Sequence, residues 1–157
     1  GVYVLDVRST LCGLLDEAVS VSDVFLSRGE IVSQRGRSKS DIERYFAKSG
    51  DAAGGLPIIV LIDAGSASAS EIVAGALQDH HRGLVMGERS FGKGSVQTLL
   101  PLSNDSALRL TTARYYTPAG KSVQEGGIPY THRTLPTIPS WSSSRGPGWL
   151  NTHTLTN

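Results

Sequence analysis

The sequence predicts a mixed α/β domain, because strand and helix patterns alternate along the chain. The apolar run over residues 56–62 has the length of a strand that is covered on both faces of a sheet. A helical pattern begins soon after it at Ser68, and a second short apolar run follows at residues 84–86. Strand, helix and strand in this order are typical of a layered α/β domain.

Further elements are predicted before this strand-helix-strand segment, in the first part of the chain. Residues 1–7 favour a strand, and apolar side chains over residues 14–26 recur at helical spacing. Residues 29–33 indicate another strand. Residues 35–51 are polar and charged, so we expect an exposed excursion there, with a short helical turn over residues 41–47.

The second half continues the alternation and then loses it. The helix that opens at Ser68 is expected to end near residues 79–82, since a glycine follows. Residues 95–102 and 107–116 are predicted as longer strands joined by a turn. Over residues 129–157 the chain turns to Thr, Ser, Pro and Gly without periodicity, which predicts an irregular or disordered tail.

Composition indicates one globular domain and argues against nucleic acid as a partner. The chain has 157 residues, so we expect a single core over residues 1–128, followed by the tail. Fifteen basic and fourteen acidic residues give a net charge of +1, and no basic stripe is interleaved with aromatic residues. The only cysteine, Cys12, cannot form an internal disulfide. Because the chain opens directly on a strand pattern, we expect it to be a piece of a longer protein.

Ser68 stands where a strand turns into a helix, and two interpretations apply to it. Ser68 and Glu71 fit the capping box, in which a serine at the helix start is paired with a glutamate three residues on. The same position suits a nucleophile, because a helix N-terminus offers free backbone N–H groups that can hold an oxyanion. The N–H group of Ala69 would be one such donor. The two interpretations are compatible.

A serine nucleophile needs a neighbouring base, and Lys93 is the best candidate. His80 and His81 fall at the far end of the predicted helix, about 18 Å from Ser68 at 1.5 Å per residue. His132 and His153 belong to the predicted tail. A lysine base must be neutral, which partial burial favours. The alternative is an exposed loop lysine whose flanking glycines serve only the geometry of a turn.

The segment that ends at Lys93 also matches the first part of a phosphate-binding loop. Residues 87–93 fit the pattern G-x-x-x-x-G-K. The match fails at Gly94, where a serine or threonine must hold magnesium, and the residues that follow alternate like a strand. We therefore do not expect nucleotide binding.

Several motifs together resemble the catalytic core of the carboxyl-terminal processing peptidases, also called tail-specific proteases. They occur in order through residues 1 to 128. They are Leu5-Asp6-Val7-Arg8, Gly13-Leu14-Leu15-Asp16-Glu17-Ala18-Val19, the Ser-Ala-Ser-Ala-Ser-Glu core within residues 65–78, Gly87-Glu88-Arg89, Phe91-Gly92-Lys93-Gly94-Ser95-Val96-Gln97 and Arg114-Tyr115-Tyr116-Thr117-Pro118-Ala119-Gly120.

The resemblance implies a serine endopeptidase that cleaves proteins near their C-termini, on a fold related to the Clp protease and crotonase superfamily. Ser68 aligns with the nucleophile, Lys93 with its general base and Gln97 with the glutamine that orients the lysine. The backbone N–H groups of Ala69 and Gly13 align with the oxyanion donors. The mechanism implied is a Ser-Lys dyad with an acyl-enzyme intermediate and no metal or cofactor.

The family resemblance also carries expectations about partners, location and one rival function. The partners are protein or peptide substrates held through their C-terminal region, in the family by a PDZ domain. The parent protein is expected in the periplasm or outside the cytoplasmic membrane, associated with that membrane. Residues 9–13 replace an Asn-Pro-Gly-Gly-like turn of the family. The rival prediction is therefore a catalytically silent core or scaffold module of the same fold.

Overall fold

The computed structural model describes residues 1–11, 13–48, 50–103, 106–124 and 126–131. Within these residues the helices and strands alternate as the sequence predicts. In chain order they are β1 (Tyr3–Asp6), α1 (Leu15–Phe25), β2 (Glu30–Arg35), β3 (Ile42–Phe46), β4 (Ile58–Ile62), α2 (Ala69–Asp79), β5 (Gly83–Gly87), β6 (Ser95–Pro101) and β7 (Ala107–Tyr116).

The strands form two sheets, and the α/β prediction is confirmed. One sheet is parallel with the order β1-β4-β5, in which Val60 lies opposite Leu5 on one side and Val85 on the other. The other is antiparallel with the order β3-β2-β7-β6. The central strand β4 is the predicted apolar run, and its alternate residues Ile58, Val60 and Ile62 are fully buried.

Helix α2 connects the two sheets at the centre of the core. It packs against α1, against β5 of the parallel sheet and against β2 of the antiparallel sheet. All residues from 70 to 77 are buried, so the helix is enclosed on every side. The larger side chains of the core around it are Ile31, Val32, Ile58, Val60, Ile62, Ile72, Val73, Leu77, Val85, Val123 and Ile128.

The predicted helical turn over residues 41–47 is wrong, because this segment forms strand β3. Ile42, Tyr45 and Phe46 are residues that favour strands. The strand pairs antiparallel with β2, where Ser33 lies opposite Arg44. The polar character of the segment reflects an exposed edge strand, since most of β3 is solvent-accessible.

The predicted tail begins with residues that still contact the core. The Pro129 carbonyl accepts a hydrogen bond from Nε2 of Gln78 at 2.7 Å, and the Thr131 N–H group donates to the Val85 carbonyl at 2.9 Å. The rest of the predicted tail, residues 132–157, lies outside the described residues, as do residues 104 and 105 of the predicted turn. Over the described part of the chain, no helix is long and apolar enough to cross a membrane.

The topology brings three loops to one edge of the parallel sheet. β1, β4 and β5 run in the same direction, so the loops that follow them leave from the same end. In parallel α/β sheets, this carboxyl end is where ligands and substrates bind. The loops contain residues 7–11 and 13–14, residues 63–68 and residues 88–94, and they include every predicted site residue except Gln97 and Ala69.

Truncation of Val73 tests the buried state of α2. Val73 is 5% exposed, whereas Val24 on α1 is 46% exposed. We expect Val73→Ala to lower the free energy of unfolding by about 2 kcal/mol, from lost burial and the cavity left behind. Val24→Ala is the matched control, because both changes gain the same helix propensity. Equal effects of the two variants in urea denaturation would contradict this packing.

Candidate active site

Ser68 occupies a sharp turn between β4 and α2. It is the N-cap residue of α2, as the capping interpretation predicts, and its backbone has φ 61° and ψ −113°. A positive φ is uncommon for a residue with a Cβ atom, and holding it costs on the order of 1–3 kcal/mol. Surrounding contacts must therefore hold this turn in place.

The contact that holds the turn is made by Glu71, which is completely buried. Its Oε2 atom accepts hydrogen bonds from the backbone N–H groups of Ser68 at 2.9 Å and Lys93 at 2.8 Å. Its Oε1 atom accepts from Oγ of Ser90 at 2.6 Å and from the N–H group of Gly92 at 2.7 Å. One carboxylate thus ties the start of α2 to the loop after β5.

This arrangement brings Ser68 and Lys93 together. Their backbone nitrogens bond to the same oxygen, so they lie no more than about 6 Å apart. The Lys93 side chain is half-buried. Among the described residues, no hydrogen bond joins the Ser68 hydroxyl to the Lys93 amine.

A glycine is required at position 94, directly after Lys93. A Cβ atom built on Gly94 would lie 2.4 Å from the backbone nitrogen of Gln124, closer than any stable contact. The Gly94 N–H group donates to Oε1 of Gln124 at 3.0 Å, and its carbonyl accepts from the Tyr115 N–H group at 2.7 Å. The glycine beside Lys93 therefore allows a close packing of backbone against backbone that fixes the loop.

Gln97 lies two residues inside β6 and is exposed. The register between β6 and β7 shifts between Val96 and Gln97, so regular alternation is interrupted next to this residue. Over the described part of the chain, the Gln97 side chain makes no hydrogen bond to Lys93. Its role in orienting the lysine stays a prediction.

The two predicted oxyanion donors are neighbours in space. A Cβ atom built on Gly13 would lie only 2.7 Å from Cβ of Ala69. Ala69 is the first residue of α2, so helix geometry gives its N–H group no acceptor within the helix. The loop before Gly13 is held by Thr10, whose carbonyl accepts from the Ala67 N–H group at 2.9 Å and from Oγ of Ser70 at 3.0 Å.

An exposed ion pair lies at the same sheet edge, where β1 ends. Arg8 contacts Asp6 through Nε at 2.9 Å and Nη2 at 2.7 Å, and this bidentate contact lowers the pKa of Asp6 to about 2. Both side chains are about half exposed, so the pair adds little to stability. It does place two fixed charges near the loop that leads to Gly13.

Two further features lie at the other end of α2, away from this edge. His80 caps the other end of α2, as its predicted place at the far end of the helix implies, and its Nε2 atom is 2.6 Å from the Glu30 carbonyl. An open cleft of about 1020 Å³ also lies at that end, next to Pro57, Arg82 and Gly83. Over the described residues, no group of His, Cys, Asp and Glu could hold a metal ion.

Sequence reasoning missed the full role of Glu71. The capping box identified its bond to Ser68, but nothing local indicates the bonds to Ser90, Gly92 and Lys93, which lie about twenty residues on. A glutamate within an otherwise small and apolar helix was the available signal, because a buried charge needs several partners.

A comparison with protein families finds a match over most of the chain. The model of peptidase family S41 matches residues 2–133. The chain belongs to peptidase family S41. This S41 chain is 64% identical over 126 residues to the carboxy-terminal-processing protease of Bartonella bacilliformis, covering 80% of the chain and 29% of that relative. It is 42% identical over 125 residues to the chloroplastic C-terminal processing peptidase of Tetradesmus obliquus, covering 80% and 27%.

A solved structure supports the same assignment. The S41 chain superimposes on the photosystem II D1 C-terminal processing protease with a TM-score of 0.77 and 40% identity, over 82% of this chain and 33% of the other. Family members are thus named as C-terminal processing proteases. The chain spans less than a third of the length of the curated relatives described here.

Replacing Glu71 by glutamine tests the carboxylate at the centre of this candidate site. Glutamine keeps the shape but turns an NH2 group towards two of the four donors, which lose their acceptor. We expect Glu71→Gln to lower the free energy of unfolding by about 2–4 kcal/mol. Glu17→Gln is the matched control, because Glu17 occupies the same third position of α1 but is exposed. Thermal denaturation showing no difference between the variants would contradict the four-bond arrangement.

Proposed function

We propose that this chain is the catalytic core of a serine endopeptidase that cuts proteins near their C-termini through a Ser-Lys dyad. The observation that carries the proposal is the shared oxygen of Glu71, which holds the backbones of Ser68 and Lys93 side by side. The names of the relatives support the reaction class and the C-terminal specificity.

In the proposed first half-reaction, Ser68 forms the acyl-enzyme. Oγ of Ser68 attacks the carbonyl carbon of the scissile peptide, and Nζ of a neutral Lys93 takes its proton. The carbonyl oxygen becomes an oxyanion held by the N–H groups of Ala69 and Gly13. The peptide C–N bond then breaks, and Lys93 passes its proton to the leaving amine. Gln97 would orient the lysine.

The second half-reaction releases the product. Water attacks the ester carbonyl, Lys93 accepts its proton, and the Ser68 oxygen leaves and regains a proton from Lys93. The cycle needs only these side chains and the backbone donors, so the proposed mechanism includes no metal or cofactor. Proteins and peptides are the proposed substrates, held through their C-terminal region.

We place the parent protein in the periplasm or elsewhere outside the cytoplasmic membrane, associated with that membrane. The relatives include bacterial and chloroplastic processing proteases, which fits this placement. The rival candidate is a catalytically silent core or scaffold module. The turn over residues 9–13, which lacks the family's Asn-Pro-Gly-Gly-like sequence, is the observation that favours it.

Covalent labelling tests the dyad. We expect a fluorophosphonate serine probe to modify Ser68 of the purified chain, with the adduct located by mass spectrometry, because only an activated serine reacts quickly. Ser68→Ala and Lys93→Ala should each reduce labelling at least about 10³-fold, since the residues act as a unit. Ser20→Ala and Lys39→Ala, both exposed, are the matched controls. A folded chain that takes no label would favour the silent core.

A methyl group at Gly13 tests the proposed oxyanion donors. The new Cβ atom of Gly13→Ala would lie 2.7 Å from Cβ of Ala69, so one of the two backbones must move. We expect the labelling rate to fall about 10²-fold, the cost typical of losing one oxyanion donor. Gly126→Ala is the control, because its Cβ atom would meet only an ordinary contact at 3.6 Å. An unchanged rate in Gly13→Ala would remove Gly13 from the proposed site.

A further inference from the structure

Asp63, the first residue after β4, joins two of the three loops at the sheet edge. Its Oδ1 atom accepts hydrogen bonds from the N–H groups of Ser9 at 2.8 Å and Gly65 at 2.9 Å, and from Oγ of Ser66 at 3.2 Å. Its Oδ2 atom accepts from Oγ of Ser9 at 3.0 Å. The two loops are 54 residues apart in sequence, so this carboxylate is a tertiary link and not a local turn.

Ser66 extends the same link to the end of β1. It is completely buried, and its Oγ atom lies 2.8 Å from the Val7 carbonyl and 3.0 Å from the Asp63 N–H group. The backbone after β1 is therefore bonded to the backbone after β4 at Val7 and again at Ser9. Two attachments this close fix the direction in which the loop leaves the sheet.

That direction determines where Gly13 lies. Beyond Ser9, the Thr10 carbonyl is bonded to the Ala67 N–H group and to Oγ of Ser70. The loop is thus fastened at two successive residues before it reaches Gly13, which lies against Ala69. A shift at Ser9 would be passed to Gly13 and would change its distance from the start of α2.

We propose that Asp63 is a positioning residue that holds the Gly13 loop at the distance from Ala69 that an oxyanion requires. The inference rests on the proposed function, because an oxyanion forms only if Ser68 attacks a carbonyl. Asp63 itself touches neither the hydroxyl of Ser68 nor Lys93 among the described contacts. It acts through the loop, by hydrogen-bond geometry.

The charge state of Asp63 suits this role at neutral pH. The Ser9 N–H group holds the pKa of the Asp63 carboxyl below its ordinary value, with smaller contributions in the same direction from the Ser9 hydroxyl, Gly65 and Ser66. The carboxylate therefore stays ionised and remains an acceptor for the Ser9 and Gly65 N–H groups and for the Ser9 hydroxyl. Because its pKa is lowered by folding, its stabilising effect is present above the unfolded-state pKa and is lost as the pH falls through the folded-state pKa.

The test measures labelling of the full 157-residue chain with a fluorophosphonate probe. For each variant we would determine the maximal labelling rate, kinact, and the probe concentration at half that rate, KI. Asp63→Ala should lower kinact about 10²-fold and leave KI within about twofold, since a small misplacement of a donor affects the transition state and not probe binding. Circular dichroism would establish that each variant is folded.

Asp63→Asn provides rescue by a conservative change. The amide oxygen can accept from the Ser9 and Gly65 N–H groups, and the NH2 group can donate to Oγ of Ser9. We expect kinact of this variant to stay within about threefold of the unmodified chain, which separates geometry from charge. Asp63→Glu, which keeps the charge but displaces the oxygens, should lose at least about tenfold, and it replaces Asp63→Ala if that variant does not fold.

Asp51 offers a matched control elsewhere in the fold. It accepts from two backbone N–H groups, of Ala53 at 2.9 Å and Gly55 at 3.2 Å, and it pairs with Arg82. Asp51→Ala therefore removes a comparable set of bonds at the opposite end of β4. It should lower the melting temperature and leave kinact unchanged.

Any of the following outcomes overturns the inference. Equal losses of kinact in Asp63→Ala and Asp63→Asn would show that the charge of Asp63 matters and not the position of its oxygen atoms. A loss in Asp51→Ala as large as that in Asp63→Ala would show a general effect of stability. Normal labelling of Asp63→Ala would remove the residue from the site while the proposed function stands. No labelling of the unmodified chain would overturn the proposed function and, with it, the inference.

Discussion

The rest of the structure depends on one buried carboxylate. Glu71 is fully enclosed, and an ionised carboxylate without partners in such a place would cost many kcal/mol. The chain meets this requirement with four donors. One is the N–H group of the N-cap residue Ser68, and the other three lie in the loop after β5. The loop after β5 must therefore return to the start of α2 whenever the core forms. The buried carboxylate is fully paired only when Gly92 and Lys93 are in place.

The same helix also holds the site edge in place by its packing. Small residues let α2 approach its neighbours closely: a Cβ atom on Gly75 would lie 3.0 Å from Ile128 and 3.1 Å from Thr117. A helix enclosed on all sides by two sheets and α1 has no solvent face along which to slide. The turn at Ser68 is thus held both by the packing of α2 and by the hydrogen bond to Glu71. A rigid base is what allows loops to carry reactive groups with accuracy.

Local patterns in the sequence predict those parts of the fold that local forces determine. Hydrophobic spacing and capping act over a few residues, so the sequence predicts the strand β4, the helix α2 and the cap at Ser68. The segment over residues 41–47 is not correctly predicted, since its pairing with β2 and its position at a sheet edge outweigh its polar composition. Reasoning from the residues supplied the candidates Ser68 and Lys93, and the family resemblance added Gln97 and Gly13. Neither supplied the contacts that position these residues, because Glu71 and Asp63 bond to residues about twenty and fifty-four positions away.

The backbone of Ser68 limits which side chains this turn can carry. With φ at 61° and ψ at −113°, a side chain branched at Cβ would crowd the neighbouring peptide groups, whereas glycine would sit there without strain. Threonine has the same hydroxyl chemistry as serine but is therefore a poor substitute at this position. The residue that best fits the fold is one with no side chain at all. The proposed mechanism requires the Ser68 hydroxyl, whereas the backbone conformation favours glycine, so the proposed role and the stability of the turn place opposite demands on this one residue.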